Sequence, residues 1–119
     1  MKKVNLAEKF NLFNEYWSPR IVGELNGQYV KLAKFKDEFM WHSHANEDEL
    51  FLVIKGTLRI EFREGSVTLK EGEFYIVPKG VEHKPVADEE AHILLLEPKS
   101  TKQTGGIDSD LLVDQQPWI

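Results

Sequence analysis

Three of the four histidines and one glutamate fall in two short stretches whose spacing suits a shared ion. The first stretch is His42-Ser43-His44, followed after four residues by Glu49 and after six more by Gly56. The second is Gly72, Pro78, Gly80 and His83. Neutral imidazole and carboxylate are common protein donors to divalent first-row metals. Three imidazoles and one carboxylate suit Fe(II), Mn(II), Ni(II), Co(II), Cu(II) or Zn(II), and the chain has no cysteine to bias the choice. Four protein donors on a six-coordinate metal would leave two positions for water, dioxygen or a chelating substrate. Each imidazole must be neutral to donate, so protons are expected to compete with metal below about pH 6.5.

The elements that carry these residues must bring them to one point. Residues two apart share a face in a strand, whereas in a helix they diverge by roughly 200°. His42 and His44 therefore belong on a strand or its edge, after Phe39-Met40-Trp41. The polar loop Ala45-Asn46-Glu47-Asp48 lets Glu49 open the next strand, which runs through Phe51-Leu52-Val53-Ile54 to Gly56. Residues Leu58 to Phe62 alternate as a half-buried strand. His83 follows the turn Pro78-Lys79-Gly80, so a third imidazole arrives from a different strand. Asn26-Gly27 and Glu64-Gly65 are hairpin signals, and residues 91–96 read as the last core strand, stopped by Pro98. Val4, Leu6, Ala7, Phe10 and Phe13 have helical spacing, which predicts a short amphipathic N-terminal helix. Short strands with turn signals every 8 to 12 residues predict an all-β sandwich or barrel.

A lone His-x-His is most often a surface or core feature. Here eight positions of specified type fall at fixed offsets, and the pattern resembles the cupin superfamily. That family's first motif, G-x5-HxH-x3,4-E-x6-G, is matched by His42, His44, Glu49 and Gly56. Its second, G-x5-PxG-x2-H-x3-N, is matched by Gly72, Pro78, Gly80 and His83. Lys36 stands in place of the first glycine and Ala87 in place of the last asparagine; neither is a ligand position. The resemblance is to small single-domain cupins often labelled mannose-6-phosphate isomerase-like. It implies a double-stranded β-helix, or jelly roll, with a barrel core over about 20–98, a C-terminal arm over 99–119, and one domain spanning 1–119. It also implies a divalent transition metal held by His42, His44, Glu49 and His83.

A fold of this kind hosts many reactions, so the site names metal binding and not a reaction. The reading this supports is a small metal-dependent enzyme of dioxygenase or isomerase type, acting on a small oxygen-rich substrate. No acid–base residue announces itself. The alternative is a non-catalytic small-molecule binding or sensor module, which a purely apolar pocket would favour and a second polar cluster would disfavour.

Composition bounds the rest. The chain has 119 residues and a formal net charge of −5, without a basic block, which argues against nucleic acid as partner. The start Met1-Lys2-Lys3 leads into no apolar run of signal or membrane length, so the expected location is the cytoplasm. His92 lies outside both motifs and reads as a partly buried bystander. Glu47 and Asp48 read as loop charges, and Glu82 and Lys84 should point away from the metal. Met40 shares strand parity with His42 and His44, so it should line the pocket while Trp41 faces away. Residues 99–110 read as an extended arm, and the apolar tail Pro117-Trp118-Ile119 covers either its own barrel or a partner. The second of these is favoured, with a homodimer as the assembly.

Overall fold

A computed structural model describes all residues, 1–119. It is all-β with one short helix, α1 (Leu6–Phe10). The strands are β1 (Arg20–Leu25), β2 (Gln28–Glu38), β3 (Glu49–Lys55), β4 (Leu58–Phe62), β5 (Gly65–Leu69), β6 (Phe74–Val77) and β7 (Lys84–Pro98). All pairings are antiparallel, in the order β1-β2-β7-β3-β6, with β4 joined to β5 and β7.

The last core strand is longer than the apolar run 91–96 suggests. Lys84–Pro98 is one strand of 15 residues. Its second half pairs β2 and β3 together, and its first half pairs β2 and β4. Between them Asp88, Glu89 and Glu90 are exposed and mark the corner where the sheet folds over. The neighbouring strands bend at the same level, with register shifts between Phe35 and Asp37 and between Val53 and Lys55. Gly56 closes this corner. Its φ is +88°, and a Cβ there would lie 3.0 Å from the Glu90 carbonyl oxygen and 3.2 Å from Ala91 Cα. The glycine thus allows a close backbone approach that a side chain would block.

Inward positions on β2, β3, β4 and β7 fill the barrel: Ala33, Phe35, Phe51, Val53, Leu58, Ile60, Ile93 and Leu95 are buried together. A smaller cluster of Phe10, Phe13, Val22 and Leu32 lies on the opposite face of the β1–β2–β7 sheet. The helix is shorter than its apolar spacing predicts. Asn5 caps it by accepting from the Glu8 N–H at 3.0 Å, and it ends at Phe10. Five residues cannot hold a helix by propensity, so burial of Phe10 and Phe13 must fix it. The Asn26-Gly27 hairpin forms with both residues at positive φ. The β4–β5 turn falls at Arg63-Glu64, one residue earlier than Glu64-Gly65 suggests, because Phe62 pairs with Gly65.

The C-terminal arm lies on its own barrel. The Pro117 carbonyl accepts from the Ile21 N–H at 2.8 Å, and the Ile119 N–H donates to the Ile21 carbonyl at 3.0 Å. The tail thereby covers the free edge of β1. The arm also reaches the first histidine stretch. Gly105, at φ +66°, is so close to Ser43 that a Cβ would lie 2.1 Å from the Ser43 carbonyl oxygen. Thr101 and Thr104 are buried beside this contact.

Gly105→Ala should therefore lift the arm from the His42–His44 segment. The expected cost is about 1–3 kcal/mol from strain and lost packing. Differential scanning calorimetry should report a lower Tm, and limited proteolysis should cleave within residues 99–119 sooner than in the wild type. An unchanged Tm and digestion pattern would refute the contact.

Candidate metal centre

Backbone pairing brings the two motifs together. His42 and His83 form an antiparallel bridge, each donating its N–H to the other's carbonyl, at 3.0 and 2.9 Å. The Gly80 N–H donates to the His44 carbonyl at 2.7 Å. The Lys79 N–H donates to the Asp48 carboxylate at 2.8 Å. Asp48 is thus more than a loop charge: it ties the turn at residues 78–80 to the loop at 45–48. Glu49 opens β3 opposite Val77, and shares the inward parity of Phe51 and Val53.

All four side chains are buried, and their donor atoms lie within 4.8 Å of one another. Neighbouring ligands around one first-row ion are about 3 Å apart and opposite ones just over about 4 Å, given bonds near 2.1 Å. The spread therefore fits one ion. Two tautomers follow from the hydrogen bonds. His42 Nδ1–H donates to the Met40 carbonyl and His83 Nδ1–H to the Val81 carbonyl, both at 2.9 Å. A carbonyl can only accept, so both rings keep an Nε2 lone pair aimed at the cluster. His83 Nε2, Glu49 Oε1 and both ring nitrogens of His44 are buried without a hydrogen-bond partner. The approach of Glu49 Oε1 to His44 Nε2 and to His83 Nε2 is 3.4 Å, too long for a good charged hydrogen bond. Buried lone pairs without donors are the condition a cation would relieve, and these four residues could hold a metal ion.

Burial, reinforced by the nearby His83 ring, lowers the pKa of His42 from 6.5 to about 4. The folded site thus keeps His42 neutral well below the free-histidine range, and proton competition there begins lower than pH 6.5. Burial pushes the Glu49 carboxyl up, but His44 and His83 outweigh it and hold the group well below the usual carboxylate range. His42 and Glu49 are therefore in their metal-binding protonation states at neutral pH.

The other sequence expectations divide. Glu82 pairs with Arg63 at 2.8 Å, and Lys84 with Glu38 at 3.0 Å, both outside the barrel. Trp41 faces outward, with the Arg63 guanidinium 3.8 Å from its ring centre. Met40 packs against the core and is not among the residues lining the central cavity. His92 stacks on Phe10 at 4.6 Å and meets Glu90 at 2.8 Å, on the face away from the cluster.

Two residues that matter were missed. The barrel interior contains a cavity of about 30 Å³, lined by Trp17, Phe35, Phe39 and Phe51 beside His42 and Glu49. Its remaining polar wall is Lys31, Glu97 and, from the arm, Gln103 and Gln116. Lys31 and Glu97 are both buried and their charged atoms are 3.4 Å apart. Burial, together with the charge of Glu49, raises Glu97 well above the usual carboxylate pKa, with Lys31 opposing. Parity was the available signal. Glu97 is in step with Ile93 and Leu95, and Lys31 with Ala33 and Phe35, so each charge falls on an inward face. Gln103 Nε2 donates to the Trp17 carbonyl at 2.6 Å, which fixes the arm over the mouth.

Comparison with known proteins agrees with this architecture. The family described as Cupin domain matches residues 28–97. The uncharacterized protein YdbB of Bacillus subtilis (strain 168) is 36% identical over 84 residues, 70% of this chain and 74% of that protein. The crystal structure of a cupin-2 domain containing protein from Shewanella frigidimarina NCIMB 400 superposes with a TM-score of 0.80 at 52% identity, covering 81% of this chain and 94% of that one. Hydroquinone 1,2-dioxygenase PnpCD, solved with Cd2+ and 4-hydroxybenzonitrile, has a TM-score of 0.68 at 21% identity, covering 77% and 70%. At that identity the likeness is one of fold.

The His42 shift has a sign that can be tested on metal-free protein. A histidine with a depressed folded pKa contributes stability that is complete above 6.5 and is lost as pH falls to about 4. The loss should be on the order of 3 kcal/mol across that window. Denaturant unfolding of chelator-treated protein should show it. His42→Leu, whatever its absolute stability, should have a shallower slope over the same window, and an equal slope would exclude His42 as its source.

Proposed function

This chain belongs to the cupin family, and from that premise we propose that it is a small metal-dependent enzyme of dioxygenase or isomerase type acting on a small oxygen-rich substrate. In this reading His42, His44, Glu49 and His83 hold one divalent transition metal. The observation that carries the catalytic reading is the second polar cluster. A passive pocket for an apolar ligand needs no buried Lys31–Glu97 pair beside its ion, because burying charge is costly. A site that orients a polar substrate does. When bound, the metal would supply Lewis acidity toward substrate oxygen. The chain supplies the rest. His42 and His83 keep their Nε2 atoms aimed inward through the bonds to Met40 and Val81. Trp17, stacked on Phe35 at 4.2 Å, and Phe51 give the cavity an apolar wall beside the donors. Gln103 and Gln116 close it from the arm.

The dioxygenase branch draws support from hydroquinone 1,2-dioxygenase, which places that chemistry on the same fold. The reading includes a homodimer, since β6 ends the sheet order and leaves Phe74 and Ile76 exposed. A monomer in sedimentation equilibrium at micromolar concentration would remove that part.

Protein purified without affinity-tag metal should take up about one divalent ion per chain by elemental analysis. His44→Ala should weaken uptake more than about tenfold with the far-ultraviolet circular dichroism unchanged. Oxygen-electrode and isomerisation assays of the Fe(II), Mn(II) and Ni(II) forms against small hydroxy and keto compounds then test catalysis. Metal uptake that His44→Ala leaves intact would overturn the centre. Metal-loaded protein inert toward the whole panel would favour the binding module.

A further inference from the structure

We propose that Lys31 is a binding residue for the anionic group of a small hydroxy or keto carboxylate whose vicinal oxygen faces the four-residue donor cluster. This rests on the metal-centre reading above and names the substrate class of that site. Lys31 has the inward parity of Ala33 and Phe35, and its side chain is only 4% exposed. An ammonium carries three N–H donors. The one hydrogen-bond partner that Lys31 has is Glu97, at 3.4 Å, the long end of the range. A buried ammonium with one long hydrogen bond and the Tyr29 ring 5.8 Å away has N–H donors to spare, and it lines the same cavity as His42 and Glu49.

The adjoining hollow carries the same sign as Lys31. Outside the central cavity lies a second hollow of about 300 Å³, and Lys31, Gln103 and Gln116 line both. Lys99 and Lys102 line the outer hollow, against the single acid Asp114. Lys99 also meets Glu24 at 3.3 Å, whereas Lys102 is exposed. In a chain of net charge −5, this excess of lysines over carboxylates in the outer hollow favours an anion over a cation or neutral molecule. Size narrows the class. The inner cavity is small, about 30 Å³, so the ligand that reaches the donors has few heavy atoms even if the two glutamine side chains swing aside. One end must suit Lys31 and the other a first-row metal. A short carboxylate with an adjacent oxygen meets both demands.

Glycolate and glycolamide test this, because they differ in carrying a carboxylate or its neutral amide. Titration calorimetry of the Co(II)-loaded protein should show glycolate binding about tenfold or more tightly than glycolamide, the scale of one charged hydrogen bond. Lys31→Met should shrink that preference to about twofold or less while Co(II) content stays at the wild-type level, and Lys31→Arg should keep a measurable part of it. Should Lys31→Met fail to fold, Lys31→Gln combined with Glu97→Gln removes the pair together and carries the same expectation. A preference that persists without Lys31 assigns the carboxylate to the metal alone and overturns the proposal. So does a Co(II)-loaded wild type that does not discriminate the two. A wild type that takes up no Co(II) fails at the metal centre itself and takes this inference down with it.

Discussion

A polar atom buried without a hydrogen-bond partner costs about 1–3 kcal/mol, and this barrel concentrates several at one point. His44 Nδ1 and Nε2, Glu49 Oε1 and His83 Nε2 all lie in the interior with nothing to bond. A fold can tolerate that only if the rest of its core is well made. The 14 buried apolar residues of the main cluster supply the offset, since each large side chain buried contributes about 1.5–3 kcal/mol. The cost also explains the rigidity of the surroundings. The His42 and His83 rings are each held by a backbone carbonyl two residues away, and the His42–His83 bridge fixes their main chains. These two rings are held from rotating away.

The strand β7 transmits this order through the molecule. It pairs with β2, β3 and β4, so any shift in its register would move both walls of the cavity. It carries Glu97 at one end, and begins one residue after His83 at the other. Gly56 and the exposed acidic corner at residues 88–90 let it serve two sheet faces without a break. The family motif glycine is therefore explained by packing: its role is to admit the Glu90 and Ala91 backbone. At the asparagine position of the second motif, Ala87 is buried and packs into the core, so this chain fills the place with apolar contact instead.

The two buried carboxyls show how position sets charge. Glu49 and Glu97 share one low-dielectric space, where two like charges repel strongly. Two imidazoles face Glu49 and keep it ionised. Glu97 has a single distant ammonium, and its burial and the charge of Glu49 favour the protonated form. The asymmetry comes from neighbours alone, because the side chains are identical.

How far each part of the site can be read from sequence follows the range of the contacts that make it. The convergence of His42, His44, Glu49 and His83 was legible because fixed offsets within two short segments encode it, and strand parity turns offsets into shared faces. The hairpin at Asn26-Gly27 was legible for the same reason, since two adjacent residues determine it. The Lys31–Glu97 pair was not, because its partners are 66 residues apart and meet only through the β2–β7 register. Parity could place each charge inward, but only the pairing of Lys31 with Leu95 and of Tyr29 with Glu97 puts them side by side. The arm was the least legible. Residues 99–110 have the composition of a solvated loop, yet Thr101 and Thr104 are buried and Gln103 forms part of the cavity wall. Nothing local in that segment specifies burial, because the contact that fixes it, Gly105 on Ser43, joins distant points of the chain. A site closed by its least patterned segment can alter what it admits by changes in the arm, while the four donors and the strands that hold them stay the same.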